Sequence, residues 1–267
     1  MGGFDIVRGT VLNILAIGDV VGQEGCEFLR KTLPSFKKLK GIGFTIANGE
    51  NSAAGNGITP FSAEHLFASG VDVITTGNHV YKRREVYDFL DSRFDIIRPA
   101  NYYKNNPGRG FTIIDKGSVR IGIINLSGVS FMNEAGNPFE AVDSILPELD
   151  DCRIILVDFH AEATAEKKAL GYYLDSKVSA VFGTHTHVQT SDARVLEGGT
   201  AYITDLGMTG PEKSVLGIKP EIAISKFKTG MPSRFETAQG QCFMCGCIFE
   251  IDEKTGRALS VESVCVE

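Results

Sequence analysis

A rhythm of short apolar runs, each closed by a small polar turn and followed by an amphipathic stretch, constrains this chain more than any other feature. The run Val11–Ile17 (V-L-N-I-L-A-I) leads into helical periodicity over 24–39, which ends at Gly41. A second run spans 42–47, and Thr59-Pro60 then reads as an N-cap with proline at the first helical position, opening a helix to Ser69. A third run at 71–76 precedes a helix over 83–92. Strands alternating with helices build a sheet covered on its faces, so the fold class is α/β.

The pattern continues with a strand near 95–97 and a hairpin over 111–126 folded at Lys116-Gly117. Helices are predicted over 139–149 and 163–174, with strands at 153–159, 180–182 and 201–204. Residues 207–240 carry glycines, prolines and charges with weak periodicity, which predicts a loop-rich subdomain or cap. A hairpin of 242–251 and 258–264, joined through D-E-K-T-G, closes the chain. No internal repeat or linker breaks the pattern, so a single domain over 1–267 is expected.

Composition narrows the function. An apolar share of 43% supplies a sizeable core, and no run of eighteen uncharged apolar residues could cross a bilayer. Net charge is −6 without a long basic tract, which disfavours a partner as polyanionic as long nucleic acid. The start M-G-G-F-D-I-V-R-G-T lacks the order of a secretory signal; residues 1–10 read partly as an expression remnant or disordered lead. Six cysteines without a signal peptide are expected to be reduced cytoplasmic thiols, and C-F-M-C-G-C at 242–247 reads as buried core rather than zinc ligands.

The chemistry gathers at strand ends, where α/β folds place their sites. G-D-V-V-G after the first strand contributes Asp19, and A-N-G-E-N-S after the second contributes Glu50 and Asn51. T-G-N-H-V after the third supplies Asn78 and His79. His160 ends the strand at 153–159, and G-T-H-T-H brings His185 and His187. Of the chain's five histidines, only His65 lies outside this set. In extended backbone, residues i and i+2 face the same way, so the imidazoles of His185 and His187 are expected to converge after a bend permitted by Gly183. Imidazole, carboxylate and carboxamide without thiolate suit Mn, Fe, Zn or Ni. So many donors exceed what one tetrahedral ion uses, and two ions about 3.5–4 Å apart could share a carboxylate, acidify a water and grip phosphate oxygens.

In order and content, G-D, G-E-N, G-N-H, a lone histidine and G-T-H-T-H resemble the calcineurin-like metallophosphoesterase superfamily. The likeness is nearest to the YmdB family of bacterial cyclic-nucleotide phosphodiesterases, through G-D-V-V-G, A-N-G-E-N, T-G-N-H, D-F-H and G-T-H-T-H. The resemblance implies a sandwich of two mixed sheets flanked by helices, with the site at the C-terminal strand ends. It implies a first ion on Asp19, Glu50, Asn51 and His187, and a second on Glu50, Asn78, His160 and His185, with iron or manganese expected. It further implies in-line attack on phosphorus by a hydroxide held between the ions, with His79 protonating the departing ribose oxygen. Asn51 and His79 would contact substrate, with Ser52 and Lys213 as auxiliary phosphate contacts. Val21 and Val80 stand where the superfamily often has a histidine and an acid, so whatever orients His79 must come from elsewhere.

The substrate implied by the resemblance is a small cyclic nucleotide, 2′,3′-cyclic AMP and also 3′,5′-cyclic AMP, and the assembly implied is a homo-oligomer. Two other readings fit the same residues: a different phosphatase or nuclease, or a nucleotide-sensing regulator with little turnover. Comparative hydrolysis of cyclic nucleotides, phosphomonoesters and short RNA separates the first; tight binding without hydrolysis identifies the second.

Overall fold

A computed structural model describes residues 11–132 and 135–267; the reading of residues 1–10 lies outside the described residues. Alternation along the first strand, β1 (Val11–Ile17), shows how the sequence rhythm becomes layers. Ile14 and Ala16 enter a core shared by two sheets, while Leu15 and Ile17 join Leu29 and Leu33 of helix α1 (Gly22–Lys40) on the other face. Gly41, at φ 62°, ends α1 in the left-handed conformation that lets its N–H reach the Lys37 carbonyl.

The first sheet has the order β2 (Asp19–Val20), β11 (Met208–Pro211), β12 (Cys242–Asp252), β1, β3 (Ile42–Asn48) and β4 (Val73–Thr75), with β13 (Ala258–Val266) paired to β12. Here β1, β3 and β4 run parallel, whereas β12 is antiparallel to β1, β11 and β13. The second sheet runs β5 (Phe111–Asp115), β6 (Arg120–Ser127), β7 (Ile154–His160), β8 (Ala180–Thr184), β10 (Ala201–Ile203) and β9 (Arg194–Val195). Its four central strands are parallel and its two edges antiparallel. Both sheets are therefore mixed, as expected. Between them Phe182 and Phe249 stack with ring centroids 5.9 Å apart, a contact worth about 0.5–1.5 kcal/mol beyond its buried area.

Helix α1 and α2 (Pro60–Ala68) cover the first sheet, and α4 (Pro138–Ile145) and α5 (Thr164–Tyr173) cover the second. The start of α2 is a reciprocal cap: Ser62 N–H donates to Thr59 Oγ1 at 3.1 Å, and Thr59 N–H to Ser62 Oγ at 3.0 Å. The helix expected over 83–92 is a 3₁₀ turn, Arg84–Val86, leading into α3 (Tyr87–Ser92). Cys242, Cys245 and Cys247 are buried along β12, and burial pushes the Cys245 and Cys247 thiols up to about 12. No helix among the described residues is long and apolar enough to cross a membrane.

Two sequence expectations change. The segment 95–97 forms no strand; Ile96 makes one isolated bridge to Ile74, because the run is too short to sustain a ladder. Residues 207–240 are more ordered than their composition predicts, containing β11 and the ten-residue helix α6 (Pro220–Thr229). Strand β11 forms because β2 and β12 offer it hydrogen bonds from opposite sides, which local periodicity cannot reveal.

Candidate metal centre

Parallel strands present their carboxyl ends together, and five such ends meet where the two sheets adjoin: β1, β3 and β4 from one, β7 and β8 from the other. Asp19, Glu50, Asn51, Asn78, His79, His160, His185 and His187 are all brought to this place. Glu50 Oε1 lies 3.0 Å from His160 Nε2. The same nitrogen is 2.9 Å from Asn78 Oδ1 and 3.1 Å from His185 Nδ1. Ligand atoms of Glu50, His160 and His185 all fall within 4.8 Å of one another. Beside them, Asp19 Oδ1 is 3.5 Å from His187 Nε2, which in turn is 3.3 Å from Asn51 Nδ2.

Two observations show that this donor set fits cations. Asp19 Oδ1 is buried without a hydrogen-bond partner among the described residues, a costly state for a carboxylate oxygen. Around His160 Nε2, three further donors crowd a single point. Burial pushes the Asp19 carboxyl up, but His187, His160 and the His185 N–H outweigh it and hold the group well below the usual range. Glu50 also ends below its ordinary value, burial being overcome by His160 and His79. Burial lowers His160, yet Glu50 and Asp19 raise it to about 9, while burial and the charge on His160 push His185 down to about 4. In the protein alone, a proton on His160 thus balances the carboxylates where a cation could do so.

A buried chain of hydroxyl and carboxylate orients His160. Thr184 Oγ1 donates to Asp158 Oδ1 at 2.7 Å, so it can accept the Nδ1–H of His160 at 2.9 Å, leaving Nε2 to face the donors. The Thr75 hydroxyl also donates to Asp158, whose carboxyl burial raises to about 6. Gly77 fits against the imidazole of His160 so closely that any Cβ would overlap the ring. We expect Gly77→Ala to cost about 1–3 kcal/mol in chemical denaturation, the usual penalty of overpacking, and to weaken metal retention.

The H-T-H segment departs from its sequence reading. It is a bend beyond β8 rather than extended backbone, with His185 at φ 99° and His187 at φ 63°. Side chains so placed serve different groups: His185 sits with His160 and Glu50, and His187 with Asp19 and Asn51. Gly183 does not make the bend either; its missing side chain lets the Thr204 carbonyl approach. Asp205 holds the strained turn, its Oδ2 accepting from Thr186 N–H at 3.2 Å and Thr186 Oγ1 at 2.8 Å. Lys167, buried like Asp205, donates to that oxygen at 2.7 Å. Lys167→Met leaves Asp205 buried without its cation, and should lower unfolding free energy by about 3–5 kcal/mol in denaturant titration.

His79 finds its orientation in Asn51. Asn51 Oδ1 lies 2.8 Å from His79 Nδ1, and Glu50 Oε2 accepts the His79 backbone N–H at 2.8 Å. The side-chain amide of Asn51 thus takes the part of the acid that Val80 replaces. Its nitrogen, which has no lone pair for a cation, faces Glu50 and His187, so Asn51 ligates only with the amide turned over. His79 Nε2 has no hydrogen-bond partner among the described residues, and burial, outweighing the pull of Glu50, lowers its pKa.

The structure does not bring Ser52 or Lys213 to this cluster. Ser52 Oγ donates to Ser62 Oγ at 2.8 Å because its turn packs against the start of α2, and Lys213 is exposed in the loop after β11. Asp158, Thr184, Glu162 and Asp205 escaped the sequence reading. Two of them had a signal: in D-F-H-A-E, Asp158 and Glu162 flank His160 at two-residue spacing, and Glu162 Oε2 is 3.0 Å from His185 Nε2. A cavity of about 260 Å³ opens over the cluster, with Glu50, His79 and His187 on one side and Leu216 and Phe235 from the 207–240 segment on the other.

Known proteins resemble this chain in sequence and fold. The family model described as YmdB-like protein matches residues 15–264. The 2′,3′-cyclic-nucleotide 2′-phosphodiesterase of Bacillus subtilis (strain 168) is 43% identical over 256 residues, covering 96% of this chain and 97% of that protein. A hypothetical protein from Thermus thermophilus superposes with a TM-score of 0.90 at 38% identity, covering 95% of this chain and 98% of that one. A novel phosphatase from Mycoplasma pneumoniae gives 0.92 at 33% identity, with 97% and 94% covered. With a matching family model over nearly the whole chain, and donors from both sheets meeting at one point, the chain belongs to the YmdB-like family.

Proposed function

We propose that this chain hydrolyses 2′,3′-cyclic nucleotides at a two-cation centre, and that 3′,5′-cyclic AMP is a second substrate. The chain is a hydrolytic phosphoesterase of its family. The Bacillus subtilis relative, named for cleavage of 2′,3′-cyclic nucleotides, supports the substrate class. The observation that carries the reading is the buried Asp19 Oδ1, without a hydrogen bond among the described residues, beside a Glu50–His160–His185 cluster whose Glu50 and His185 line an open cavity.

Asp19, Glu50 and His187 would hold one cation, and Glu50, Asn78, His160 and His185 the other, with iron or manganese as the expected metals, while Asn51 keeps its Oδ1 on His79 Nδ1. Bound there, divalent cations would supply Lewis-acid polarisation of the phosphate and a water of lowered pKa. Asp158 and Thr184 keep the His160 imidazole in the tautomer that offers Nε2. His79, fixed through Nδ1, presents Nε2 to protonate the departing ribose oxygen; its lowered pKa makes the protonated ring a stronger acid. The 207–240 segment supplies the outer wall that encloses the nucleotide.

The test is turnover of 2′,3′-cyclic AMP, 3′,5′-cyclic AMP and p-nitrophenyl phosphate by protein loaded with Mn or Fe, alongside elemental analysis. We expect two ions per chain and a kcat/KM for the 2′,3′-cyclic substrate at least ~10²-fold above the monoester, a preference of about 2.7 kcal/mol. Preference for the monoester, or tight cyclic-nucleotide binding without turnover, would replace this reading with the phosphatase or the sensor.

A further inference from the structure

The cavity over the donor cluster shares a wall with a second, larger one. The first measures about 260 Å³, below the usual range of small-molecule sites, which is about 300–1,000 Å³. The second measures about 740 Å³. Gly55, Asn56, Phe235, Glu236 and Thr237 border both, so they form one groove with two chambers.

The far chamber has a distinct charge. It is lined by Lys82, Arg83 and Arg234, against the carboxylates of Glu24 and Glu236. Glu236 is already held by Lys219 Nζ at 2.7 Å. Arg83 is occupied in building the wall: its Nε donates to the Asn56 carbonyl at 3.1 Å and its Nη2 to the Ala54 carbonyl. Those bonds hold Gly55, Asn56 and Gly57, three successive residues at positive φ (72°, 72° and 87°). Lys82 and Arg234 have no carboxylate partner among the described residues. A chain of net charge −6 thus keeps two uncommitted cations in the chamber next to its reaction site. Phe235 supplies an aromatic wall between the chambers, with Lys226 Nζ 4.6 Å from its ring centroid.

We infer that the far chamber binds the preceding nucleotide of a short oligoribonucleotide whose 3′ end is a 2′,3′-cyclic phosphate. The internucleotide phosphate meets Lys82 and Arg234, and a base stacks on Phe235. This rests on the function proposed above and makes its substrate a chain end as well as a mononucleotide. The chemistry is unchanged. A water oxygen bonds to phosphorus and gives up one proton to solvent, the bond from phosphorus to the ribose 2′-oxygen breaks, and that oxygen takes a proton from His79, which solvent restores, leaving a 3′-phosphate. An upstream reaction that cleaves RNA by attack of the 2′-hydroxyl must supply such ends.

The test compares 2′,3′-cyclic AMP with the dinucleotide ApA ending in a 2′,3′-cyclic phosphate, using metal-loaded protein. We expect the dinucleotide to have a kcat/KM about tenfold higher, chiefly through a lower KM, and that advantage to shrink about threefold between about 50 and about 200 mM salt, the slope of one neutralised phosphate. In the double variant Lys82→Ala/Arg234→Ala, the dinucleotide should lose about tenfold more than the mononucleotide. A dinucleotide with a neutral methylphosphonate linkage should show the same loss on unaltered protein, independent of how the variant folds. Turnover of the mononucleotide with no dinucleotide advantage, or an advantage that survives both changes, overturns this inference alone. Turnover of neither substrate removes the proposed function and this inference with it.

Discussion

His79→Ala should lower kcat for 2′,3′-cyclic AMP by roughly 10²–10⁴-fold, the range a positioned general acid contributes, while metal content stays at the level of unaltered protein. The separation arises because His79 contributes to the site in two ways. Its backbone N–H, which survives the substitution, donates to Glu50 Oε2 at 2.8 Å and helps fix the carboxylate. Its imidazole, which is lost, is held by Asn51 through Nδ1 and directs Nε2 at the cavity. A ribose alkoxide needs that proton to leave, whereas p-nitrophenolate does not. Bis-p-nitrophenyl phosphate should therefore be cleaved by the variant with a loss of less than about tenfold. Equal losses on both substrates, or depleted metal, would reassign His79 to a structural role.

Glu50→Gln should be the most damaging isosteric change in the chain. One oxygen of Glu50 accepts the His79 N–H and the other lies 3.0 Å from His160 Nε2 and 3.3 Å from Asn51 Nδ2. A glutamine that keeps the first bond turns its NH₂ toward His160, Asn78 and His185, placing a donor where lone pairs must converge, and removes a buried charge. Residues that merely support a ligand are worth about 10–100-fold in metal affinity, so losing the carboxylate that touches both donor groups should cost ~10³-fold or more in turnover. Elemental analysis should find fewer than one ion per chain, with an unchanged circular dichroism spectrum. Two ions and activity within about tenfold would refute the placement of Glu50 at the centre.

Both predictions concern residues that the chain announced by position. Asp19, Glu50, Asn78 and His160 each follow an apolar run, and a parallel strand can deliver its last side chain only to the carboxyl edge of its sheet. The start of α2 was equally legible, since a Thr-Pro pair with serine at the third helical position satisfies its own end groups locally. Where local chemistry was silent, the reading failed. The turn of His185 and His187 needs two histidines at positive φ, and it persists because Asp205, from the far end of β10, anchors Thr186 between them. Strand β11 exists only between two partners drawn from opposite ends of the chain.

Periodicity and turn chemistry, which act over a few residues, were enough for the α/β class, most elements and the list of candidate donors. The meeting of the two sheets decided the rest, because an oxygen or nitrogen becomes one of a set only when separate strands hold it within a few ångströms of its neighbours. Asn48 at the end of β3 shows this: its amide lies 3.3 Å from His160 Nδ1 and 3.3 Å from Thr184 Oγ1, both carried by the opposite sheet. The roles of Asn51, Asp158 and the Lys167–Asp205 pair likewise depend on distances between segments far apart in the chain, which side-chain burial across the interface sets and local propensity does not.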